Sequence, residues 1–555
     1  MITILIGHRG AGKSALLRRI KMYLPDIVAI DLDAFIEEQE GMSIAEIFSK
    51  KGEAIFRTLE KKHFHHLIQN TRVQPLYVAV GAGFNDELPK EVRVLWIRRE
   101  TDAQGRILLS RPRLDANKSQ LQTSQRLFAE REARYERICT DVLTIPEGFD
   151  RENEWEKKYF QHGIRDVGGL ITLLPQQHIN QQWIGERCKW GITAFELRKD
   201  LLSAAEFQSA EEVIPKEKVY YADSVCDLHD RLPGESLSEA ISRLDQNNPD
   251  GKHLKLAVEI HSFHELLEGD AWMMADPEHR SFLPRSHDGR FQWYRLLRKG
   301  VMKINFIREG KGSAIDQPLL LDWVRTPKNT NSFAAILGDP VTHSLTPAEH
   351  HDFFAAKGMP VFRIRVTESE WESGAFEVLQ TLGLRYAAIT SPLKRMAYAS
   401  CAKVTAEAKQ FQCVNTLFWD EKIKRWSGAN TDVAGFQALV RELGDGNNVA
   451  VWGAGALLPM MQNTLPQASF YSSRSGEVRA GTSLAAPRTI IWATSHRDTH
   501  PPSIWAPENI IDLNYTQNSA GLDFAERLGI PYLSGLAMFR RQAEEQRKYW
   551  SAHAR

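Results

Sequence analysis

The residues best suited to chemistry near the start of the sequence form a glycine-rich loop. The chain reads G-x-x-x-x-G-K-S from Gly7, with Gly10 and Gly12 ahead of Lys13 and Ser14. In such a loop the backbone N–H groups face the phosphates of a nucleotide, the lysine reaches the outer phosphates and the serine hydroxyl binds Mg²⁺. The pattern predicts a nucleotide-binding phosphate loop in which Ser14 is a metal ligand.

Two further patterns lie in the last part of the chain. Ser344 and Thr346 are two positions apart, so in an extended turn both hydroxyls point the same way and can hold one carboxylate. Gly453 and Gly455 follow an apolar strand and precede an apolar helix, the context of a dinucleotide-binding loop. Arg474 ends the next strand, where an arginine suits the 2′-phosphate of NADP better than the ribose of NAD.

These motifs need strands and helices that alternate along the chain. Residues 2–6 are predicted to form a buried parallel strand, and residues 448–452 a strand of the dinucleotide-binding fold. Between them, strand–helix repeats carry polar groups at strand ends, as in a parallel barrel. The fold class is therefore α/β, in several domains. The predicted domains cover residues 1–150, 160–326, 331–440 and 441–555.

The composition excludes several classes of function. Lys+Arg and Asp+Glu both number 70, so no overall basic field attracts nucleic acid or anionic lipid. The cysteines show no metal-ligand spacing, and no apolar run approaches the roughly 20 residues of a membrane span. The apolar first residues carry no basic segment and no cleavage site of a signal peptide. We expect a cytoplasmic protein whose partners are small molecules, without nucleic acid or membrane.

The order of motifs in the first domain resembles that of the shikimate kinases. The resemblance rests on the phosphate loop, Asp31-Leu32-Asp33, residues 52–60, the glycine turn at 81–83, Arg111-Pro112 and residues 131–135. Ala82 departs from the family, which usually has a glycine there for close approach to the ligands. The resemblance implies a P-loop kinase fold that transfers phosphate from ATP to shikimate.

The kinase resemblance assigns a role to each matching residue. Lys13 and Asp33 would act in catalysis, Asp33 by orienting the attacking hydroxyl. Asp31 would lie near the Mg²⁺ bound by Ser14, and Arg111 would belong to a lid over the transferred phosphate. An arginine fork suits the planar substrate carboxylate. The expected acceptor residues are Asp33, Arg57, Gly81, Gly83 and Arg131.

The last part of the chain resembles the shikimate dehydrogenases. The resemblance rests on residues 343–347, 386–394, 413–417, 428–435 and 535–542. It implies a substrate lobe followed by a Rossmann lobe, which interconvert 3-dehydroshikimate and shikimate with NADP(H). Lys394 and Asp432 would handle the proton, because a neighbouring carboxylate orients an amine and stabilises its cationic form. The expected substrate residues are Ser344, Thr346, Thr390, Lys394, Asn415, Asp432 and Gln542, and the expected cofactor residues are Gly453, Gly455, Ser473, Arg474 and Ser475.

Residues 160–326 are similar, though less closely, to type I dehydroquinate dehydratase. Glu196-x-Arg198-x-Asp200, Ser286-His287-Asp288 and Lys303 carry the similarity. In that family a lysine forms a Schiff base and a histidine moves protons, so an apolar strand that desolvates Lys303 would favour the reaction. Two interpretations stay open: a dehydratase site of Lys303 and His287, or structural residues in a truncated (β/α) barrel.

The module order is that of the fungal multifunctional shikimate-pathway protein and its quinate-repressor relatives. We predict a multifunctional enzyme of that pathway that acts on shikimate and 3-dehydroshikimate with NADP(H), ATP and Mg²⁺. One alternative is a metabolite-sensing regulator without turnover, although the predicted catalytic residues all survive here. A dehydrogenase of quinate is a second alternative, which Thr346 keeps open.

Overall fold

The computed structural model of the chain divides into two compact units. The first comprises residues 1–103 and 127–330, and the second residues 104–126 and 331–555. The structure describes residues 2–70, 75–89, 91–109, 111, 113, 117–175, 180–444 and 446–553, except for the side chain of Ala456. Both units consist of parallel or mixed sheets with intervening helices, which confirms the predicted α/β class.

The first unit begins with a parallel sheet. Its strands are β1 (Ile2–Ile6), β2 (Val28–Asp31), β3 (Leu76–Ala79), β4 (Arg93–Arg99) and β5 (Asp141–Ile145). They lie in the order β2-β3-β1-β4-β5, so β1 is central. This strand is almost entirely apolar and buried, as expected where helices cover both faces of a sheet. The glycine-rich loop leaves its carboxyl end.

The helices around this sheet shape the candidate kinase site. They are α1 (Lys13–Tyr23), α2 (Leu32–Glu40), α3 (Ile44–Asn70), α4 (Gln120–Ile138) and α5 (Glu154–Phe160). The Asp31 side chain caps α2 by accepting a hydrogen bond from the backbone N–H of Asp33 at 3.2 Å. Gly52, with a φ of 82°, divides α3 into two helical stretches.

Short parallel strands form the middle part of the chain. The strands are β6 (Leu170–Thr172), β7 (Ala194–Leu197), β8 (Val219–Tyr221), β9 (Cys226–Leu228), β10 (Leu254–Leu256) and β11 (Arg280–Phe282), and the helices are α6 (Gln181–Trp190), α7 (Ala204–Val213), α8 (Leu237–Gln246), α9 (Phe263–Ala275), α10 (Gln292–Leu297) and α11 (Leu320–Arg325). The sheets β6-β7-β8 and β9-β10-β11 are both parallel, and Leu170 bridges to Phe306. Apolar side chains, among them Leu283 and Ile304, pack between these strands.

A buried ionic network ties the middle part to the first sheet within the same unit. The Arg187 guanidinium on α6 lies over the rings of Trp183 and Trp190, 4.1 and 4.7 Å from their centroids. It donates to Asp141 Oδ1 on β5 at 2.7 Å and to Glu309 Oε2 at 2.6 Å. Loss of any one member leaves buried charge without its partner, so the network holds both parts together.

The second unit contains two mixed sheets. The strands of the first are β12 (Phe333–Gly338), β13 (Val361–Arg365), β14 (Leu384–Ile389), β15 (Cys401–Val404), β16 (Thr416–Asp420) and β17 (Arg425–Ala429), in the order β13-β12-β14-β16-β17-β15. Those of the second are β18 (Val449–Gly453), β19 (Ser469–Tyr471), β20 (Val478–Ala480), β21 (Thr489–Ala493), β22 (Asn509–Asp512) and β23 (Tyr532–Leu533), in the order β20-β19-β18-β21-β22-β23. The dinucleotide-type loop leaves β18, which is an inner strand.

The helices of this unit begin or end at several of the predicted site residues. They are α12 (Thr346–Ala355), α13 (Glu368–Glu372), α14 (Ala375–Thr381), α15 (Lys394–Ala399), α16 (Ala406–Phe411), α17 (Asp432–Leu439), α18 (Leu458–Thr464), α19 (Ala520–Leu528) and α20 (Leu536–His553). Helix α20 returns to the first sheet, where the Trp550 indole N–H donates to the Leu417 carbonyl at 3.0 Å. No helix within the described ranges has the length and apolar character needed to cross a membrane.

Candidate active sites

The phosphate loop has the geometry that its sequence predicts. It joins the end of β1 to the start of α1, and Gly12 at the helix N-cap has a φ of 97° with open space around the position of a Cβ. The Lys13 ammonium donates to the carbonyls of Gly7 and His8 at 2.8 and 3.2 Å. These contacts hold the lysine over the loop, where a bound nucleotide would place its phosphates.

A glycine turn closes over the predicted acceptor residues. A Cβ on Gly83 would lie 2.4 Å from Arg57 Nη2, so a larger residue here would require the Arg57 guanidinium to move. A Cβ on Gly81 would lie 3.3 Å from Asp33 Oδ1 and 3.0 Å from Glu60 Oε1. The fold thus brings together residues from α2, α3 and the turn after β3.

Glu60 belongs to this cluster although the sequence analysis missed it. Its side chain is 2% exposed, and Arg57 Nη1 donates to Glu60 Oε2 at 2.8 Å. The other oxygen, Oε1, is buried without a hydrogen-bond partner among the described residues. Burial raises the pKa of this carboxyl despite the neighbouring arginine. The spacing of Arg57 and Glu60, three positions apart on one helix, is the signal that could have identified the pair.

Helix α4 connects the glycine turn to the phosphate loop. The Tyr135 hydroxyl donates to the Ala82 carbonyl at 2.7 Å and lies 3.3 Å from the Gly7 carbonyl. Arg131 lies one turn earlier on the same helix and contacts the tyrosine. Arg111 is exposed and lies in residues 104–126, which belong to the second unit; Pro112 lies outside the described residues. The structure therefore does not place Arg111 in the unit that contains the other kinase residues.

Lys394 and Asp432 form a buried ion pair in the second unit. Lys394 Nζ donates to Asp432 Oδ2 at 2.7 Å, and the two side chains are 13% and 2% exposed. Asn415 Nδ2 donates to the other carboxylate oxygen at 2.9 Å, which fixes the carboxylate plane. Burial lowers the pKa of Lys394, but the attraction of Asp432 outweighs burial and leaves the pKa above its usual value. The lysine is therefore protonated at neutral pH.

The remaining predicted substrate residues lie at the ends or on the faces of other elements of the same unit. Ser344 Oγ donates to Thr346 Oγ1 at 3.0 Å, so the two hydroxyls are adjacent at the start of α12. Thr390 follows β14 directly. A Cβ on Gly435 of α17 would lie 3.3 Å from Gln542 Cβ on α20, which shows how closely these helices pack. The fold thus gathers residues that lie far apart in the sequence.

A chain of hydrogen bonds supports the ion pair from helix α20. His350 is fully buried, and burial lowers its pKa to about 3, so the ring is neutral. Its Nε2 lies 2.9 Å from Gln546 Oε1, which fixes Nε2 as the donor, and its Nδ1 lies 3.4 Å from Arg547 Nη1. Gln546 Nε2 then donates to the Asn415 carbonyl at 3.3 Å. No local sequence pattern predicts that His350 and Gln546 support the ion pair.

Tyr515 is a further residue that the sequence analysis missed. It lies in the loop after β22, and its hydroxyl interacts with the Ser344 side chain and the Leu345 backbone. Its ring packs against Phe539, with centroids 4.8 Å apart. The signal that could have identified Tyr515 is an aromatic residue soon after the end of a strand, in the lobe that does not contain Ser344 and Thr346.

The second sheet presents the predicted cofactor residues at its strand ends. Ala454, between the two glycines of the loop, has a φ of 83°. Ser473 is buried and its hydroxyl lies 3.2 Å from Thr494 Oγ1. Arg474 and Ser475 are exposed just beyond β19. The exposed Arg474 guanidinium is accessible to a 2′-phosphate.

The first comparison with known proteins concerns the kinase site. Residues 9–154 match the family model for shikimate kinase. The shikimate kinase of Geobacillus thermodenitrificans is 36% identical over 143 residues, which are 24% of this chain and 73% of that protein. The chain belongs to the shikimate kinase family.

The second comparison concerns the other unit. Residues 336–417 match the family model for the shikimate dehydrogenase substrate binding domain. The shikimate dehydrogenase (NADP(+)) of Alcanivorax borkumensis is 36% identical over 107 residues, 19% of this chain and 38% of that protein. A crystal structure of shikimate dehydrogenase from Aquifex aeolicus is 21% identical and covers 40% of this chain and 93% of its own, with a TM-score of 0.33. The match to the shikimate dehydrogenase substrate binding domain therefore follows the match to shikimate kinase along the chain, and the chain spans well under two thirds of the length of this curated dehydrogenase.

In the middle part, the environment of Lys303 differs from the predicted one. Lys303 lies outside the strands, its side chain is 53% exposed, and its ammonium pairs with Glu278 at 2.9 Å. His287 is exposed too. The prediction that an apolar strand desolvates Lys303 is therefore wrong, because the chain turns to the surface there. Glu196 is buried against Thr172, at 2.7 Å, whereas Arg198 pairs with Asp200 near the surface.

Proposed function

We propose that this protein is a bifunctional enzyme of consecutive reactions. Its second unit reduces 3-dehydroshikimate to shikimate with NADPH, and its shikimate kinase module phosphorylates the 3-hydroxyl of shikimate from ATP. The observation that carries the proposal is the buried Lys394–Asp432 pair, held at 2.7 Å beside Asn415. A regulator without turnover has no need to keep a lysine, a carboxylate and their supporting amide in one buried cluster.

The ion pair suits proton transfer to a ring oxygen. Because Lys394 is protonated at neutral pH, its ammonium can donate a proton to the alkoxide that forms as the ketone is reduced. Asp432 accepts the lysine N–H and keeps it aimed at the substrate side. The adjacent hydroxyls of Ser344 and Thr346 can hold the substrate carboxylate without burying an opposing charge. When bound, the nicotinamide supplies the hydride.

The cofactor residues fit NADP(H) by their chemistry. Gly453 has a φ of 110°, and a Cβ there would lie 2.6 Å from the Ala493 carbonyl, so this turn needs glycine. The turn brings backbone N–H groups to the start of the following helix, where they can face a pyrophosphate. The exposed Arg474 supplies a guanidinium fork for the 2′-phosphate.

The kinase residues fit ATP, Mg²⁺ and a hydroxylated carboxylic acid. Lys13 and the loop N–H groups face the phosphates, and the Ser14 hydroxyl and the Asp31 carboxylate are oxygen donors of the kind Mg²⁺ takes beside phosphates and water. Asp33 would orient the attacking hydroxyl and Arg57 would hold the substrate carboxylate. The short distances from the Gly81–Gly83 turn to these side chains support this arrangement.

The middle part serves, in this proposal, as a scaffold for the kinase sheet. The Arg187 network supports that role, because it buries charge between the two parts of the first unit. The exposed Lys303 does not favour a dehydratase. Dehydration of 3-dehydroquinate by the purified protein would contradict the scaffold interpretation.

The proposal is tested by measuring each half-reaction on the intact chain. NADP⁺ reduction is followed with shikimate and then with quinate, and ADP formation is followed with shikimate and Mg·ATP. We expect NADP⁺ reduction with shikimate and shikimate-dependent ADP formation. Reduction with quinate alone would favour a quinate dehydrogenase. Ligand binding without turnover in either assay would favour the regulator.

A further inference from the structure

Asn415 ties the dehydrogenase ion pair to the rest of its unit. Its side chain is fully buried, and both donors and both acceptor positions of its amide are used. Nδ2 donates to Thr431 Oγ1 at 3.0 Å and to Asp432 Oδ1 at 2.9 Å. Oδ1 accepts from the Thr431 backbone N–H at 2.9 Å and from the Thr416 hydroxyl at 2.8 Å. The position of the Asp432 carboxylate therefore depends on the position of the Asn415 backbone.

Gln546 on α20 holds the Asn415 backbone. It is 2% exposed, and its Nε2 donates to the Asn415 carbonyl at 3.3 Å. The same carbonyl accepts from the Ile389 N–H at 2.8 Å, at the end of β14. The other end of the Gln546 amide is fixed too, because Oε1 accepts from His350 Nε2 at 2.9 Å. A buried, neutral imidazole thus determines which way the amide points.

The contact between His350 and Gln546 connects helices that carry predicted site residues. His350 lies on α12, one turn after Thr346, with which this helix begins. Helix α20 packs tightly on α17, which begins with Asp432, because a Cβ on Gly435 of α17 would lie 2.8 Å from the carbonyl of Met538 on α20. The contact therefore links the helix of a predicted carboxylate-binding residue to the residues that hold the predicted proton-handling pair.

We propose that Gln546 and His350 are positioning residues of the dehydrogenase reaction. Their hydrogen bond fixes Asn415, and through it the Lys394–Asp432 pair, relative to helix α12. The inference rests on the proposed function, since it requires reduction of 3-dehydroshikimate by the second unit. A proton donor works only within hydrogen-bond reach of the reacting oxygen, so loss of this support should lower kcat more than it raises KM.

Substitutions in the intact chain test the proposal. We expect Gln546→Met to lower kcat for 3-dehydroshikimate reduction by NADPH about 10- to 100-fold and to change KM less than about threefold. His350→Leu should give a similar loss, whereas His350→Gln keeps a donor and should retain most of kcat. The matched control is Trp550→Phe, which removes a 3.0 Å hydrogen bond from α20 to the Leu417 carbonyl of β16 without touching Asn415. It should leave kcat unchanged.

The pH profile gives a readout that a merely structural role would not move. Burial lowers the pKa of Lys394, but the attraction of Asp432 outweighs it, and the buried Cys413 also faces the lysine. A loosened pair leaves burial to dominate, so the pKa of Lys394 falls. The rate of ketone reduction should then decline between about pH 7 and about pH 10 in Gln546→Met. It should stay nearly level in the wild type and in Trp550→Phe.

Hydrogen exchange of the Thr431 amide, which donates to Asn415, does not depend on turnover. This amide should be protected in the wild type and in Trp550→Phe, and should exchange faster in Gln546→Met. An unchanged kcat or pH profile in Gln546→Met, or an equal loss of kcat in Trp550→Phe, would overturn the proposal. If the wild type does not reduce 3-dehydroshikimate while Thr431 exchange still depends on Gln546, the proposed function fails and the positioning contact stands.

Discussion

Lys394 and Lys303 are two lysines that the sequence indicates as candidate catalytic residues, but the fold buries the first and exposes the second. Lys394 begins a helix whose start is packed against α17, and its ammonium meets a buried carboxylate. Lys303 lies in a surface turn and meets an exposed glutamate. Both have one acidic partner within 3 Å, so proximity does not separate them. The difference is solvent: the Lys394–Asp432 pair is buried, and the attraction of Asp432 raises the pKa of Lys394, whereas the ion pair of Lys303 is exposed to water.

The largest expected effect comes from removing each lysine in turn. We expect Lys394→Ala to lower kcat of NADP⁺ reduction about 10²- to 10⁴-fold, the usual contribution of a positioned proton donor. The matched variant Lys303→Ala should leave both activities unchanged. The measurement is initial rate with shikimate for the purified variants. Equal losses in both variants would show that burial does not separate the two lysines.

A second prediction concerns the buried charge of the first unit. We expect Arg187→Ala to lower the free energy of unfolding by about 3–5 kcal/mol, because Asp141 and Glu309 then stay buried without a counter-charge. Urea unfolding followed by tryptophan fluorescence measures this. The control is Lys158→Ala, which removes an exposed pair with Glu154 and should change little. An Arg187→Ala variant with an unchanged free energy of unfolding would contradict the scaffold role of the network.

Arg57 is a third positively charged residue paired with a buried carboxylate, and it lies in the candidate kinase site. We expect Arg57→Lys to raise the KM for shikimate about 10- to 100-fold, because lysine keeps the charge but loses the planar fork. The KM for ATP should change much less. Steady-state kinetics with each substrate varied in turn separates the two constants. An increase confined to the KM for ATP would contradict the assignment of Arg57 to the acceptor carboxylate.

His350 gives a prediction about pH. Its pKa in the folded protein is about 3, below its usual value, so its neutral form contributes stability that is present near pH 7. That contribution is lost as the pH falls from about 6.5 toward 3, at up to about 1.4 kcal/mol per pH unit. His350→Phe should remove this part of the acid sensitivity. Unfolding curves of both proteins between pH 7 and pH 4 test it; parallel pH profiles would count against a buried neutral ring.

The smallest predicted effect is on cofactor choice. We expect Arg474→Ala to raise the KM for NADP⁺ about tenfold and to leave the KM for NAD⁺ unchanged, because only NADP⁺ has the 2′-phosphate. The control is Arg479→Ala, which removes an exposed arginine of β20 that is not among the predicted cofactor residues. Parallel increases for both cofactors would show that Arg474 supports the loop and does not read the phosphate.

Local sequence patterns predict much of the fold, whereas the rest depends on contacts between residues that are distant in the sequence. The phosphate loop, and the strand and helix on either side of the dinucleotide turn, are short-range signals, and the structure contains them where the sequence indicates. Lys394 and Asp432 are 38 positions apart and were paired through a family resemblance, since no periodicity links them. The prediction for Lys303 is wrong because its burial depends on where a turn brings the chain to the surface, which no local pattern encodes.

The missed residues share one physical reason. Glu60, His350 and Tyr515 act by contacting another site residue, and each looks ordinary in the sequence. Residues 104–126 are a similar case: they lie inside the predicted first domain but belong to the second unit, where Arg106 contacts Gln517. Such contacts follow from packing, and only the folded chain reveals them.

The most direct test of the account is a single-vessel assay on the purified chain. Given 3-dehydroshikimate, NADPH, ATP and Mg²⁺, the protein should oxidise NADPH and release ADP in equal amounts, with phosphorylated shikimate as the product. NADPH oxidation with no ADP, or ADP release that does not require NADPH, would contradict the claim that two sites of one chain catalyse consecutive steps.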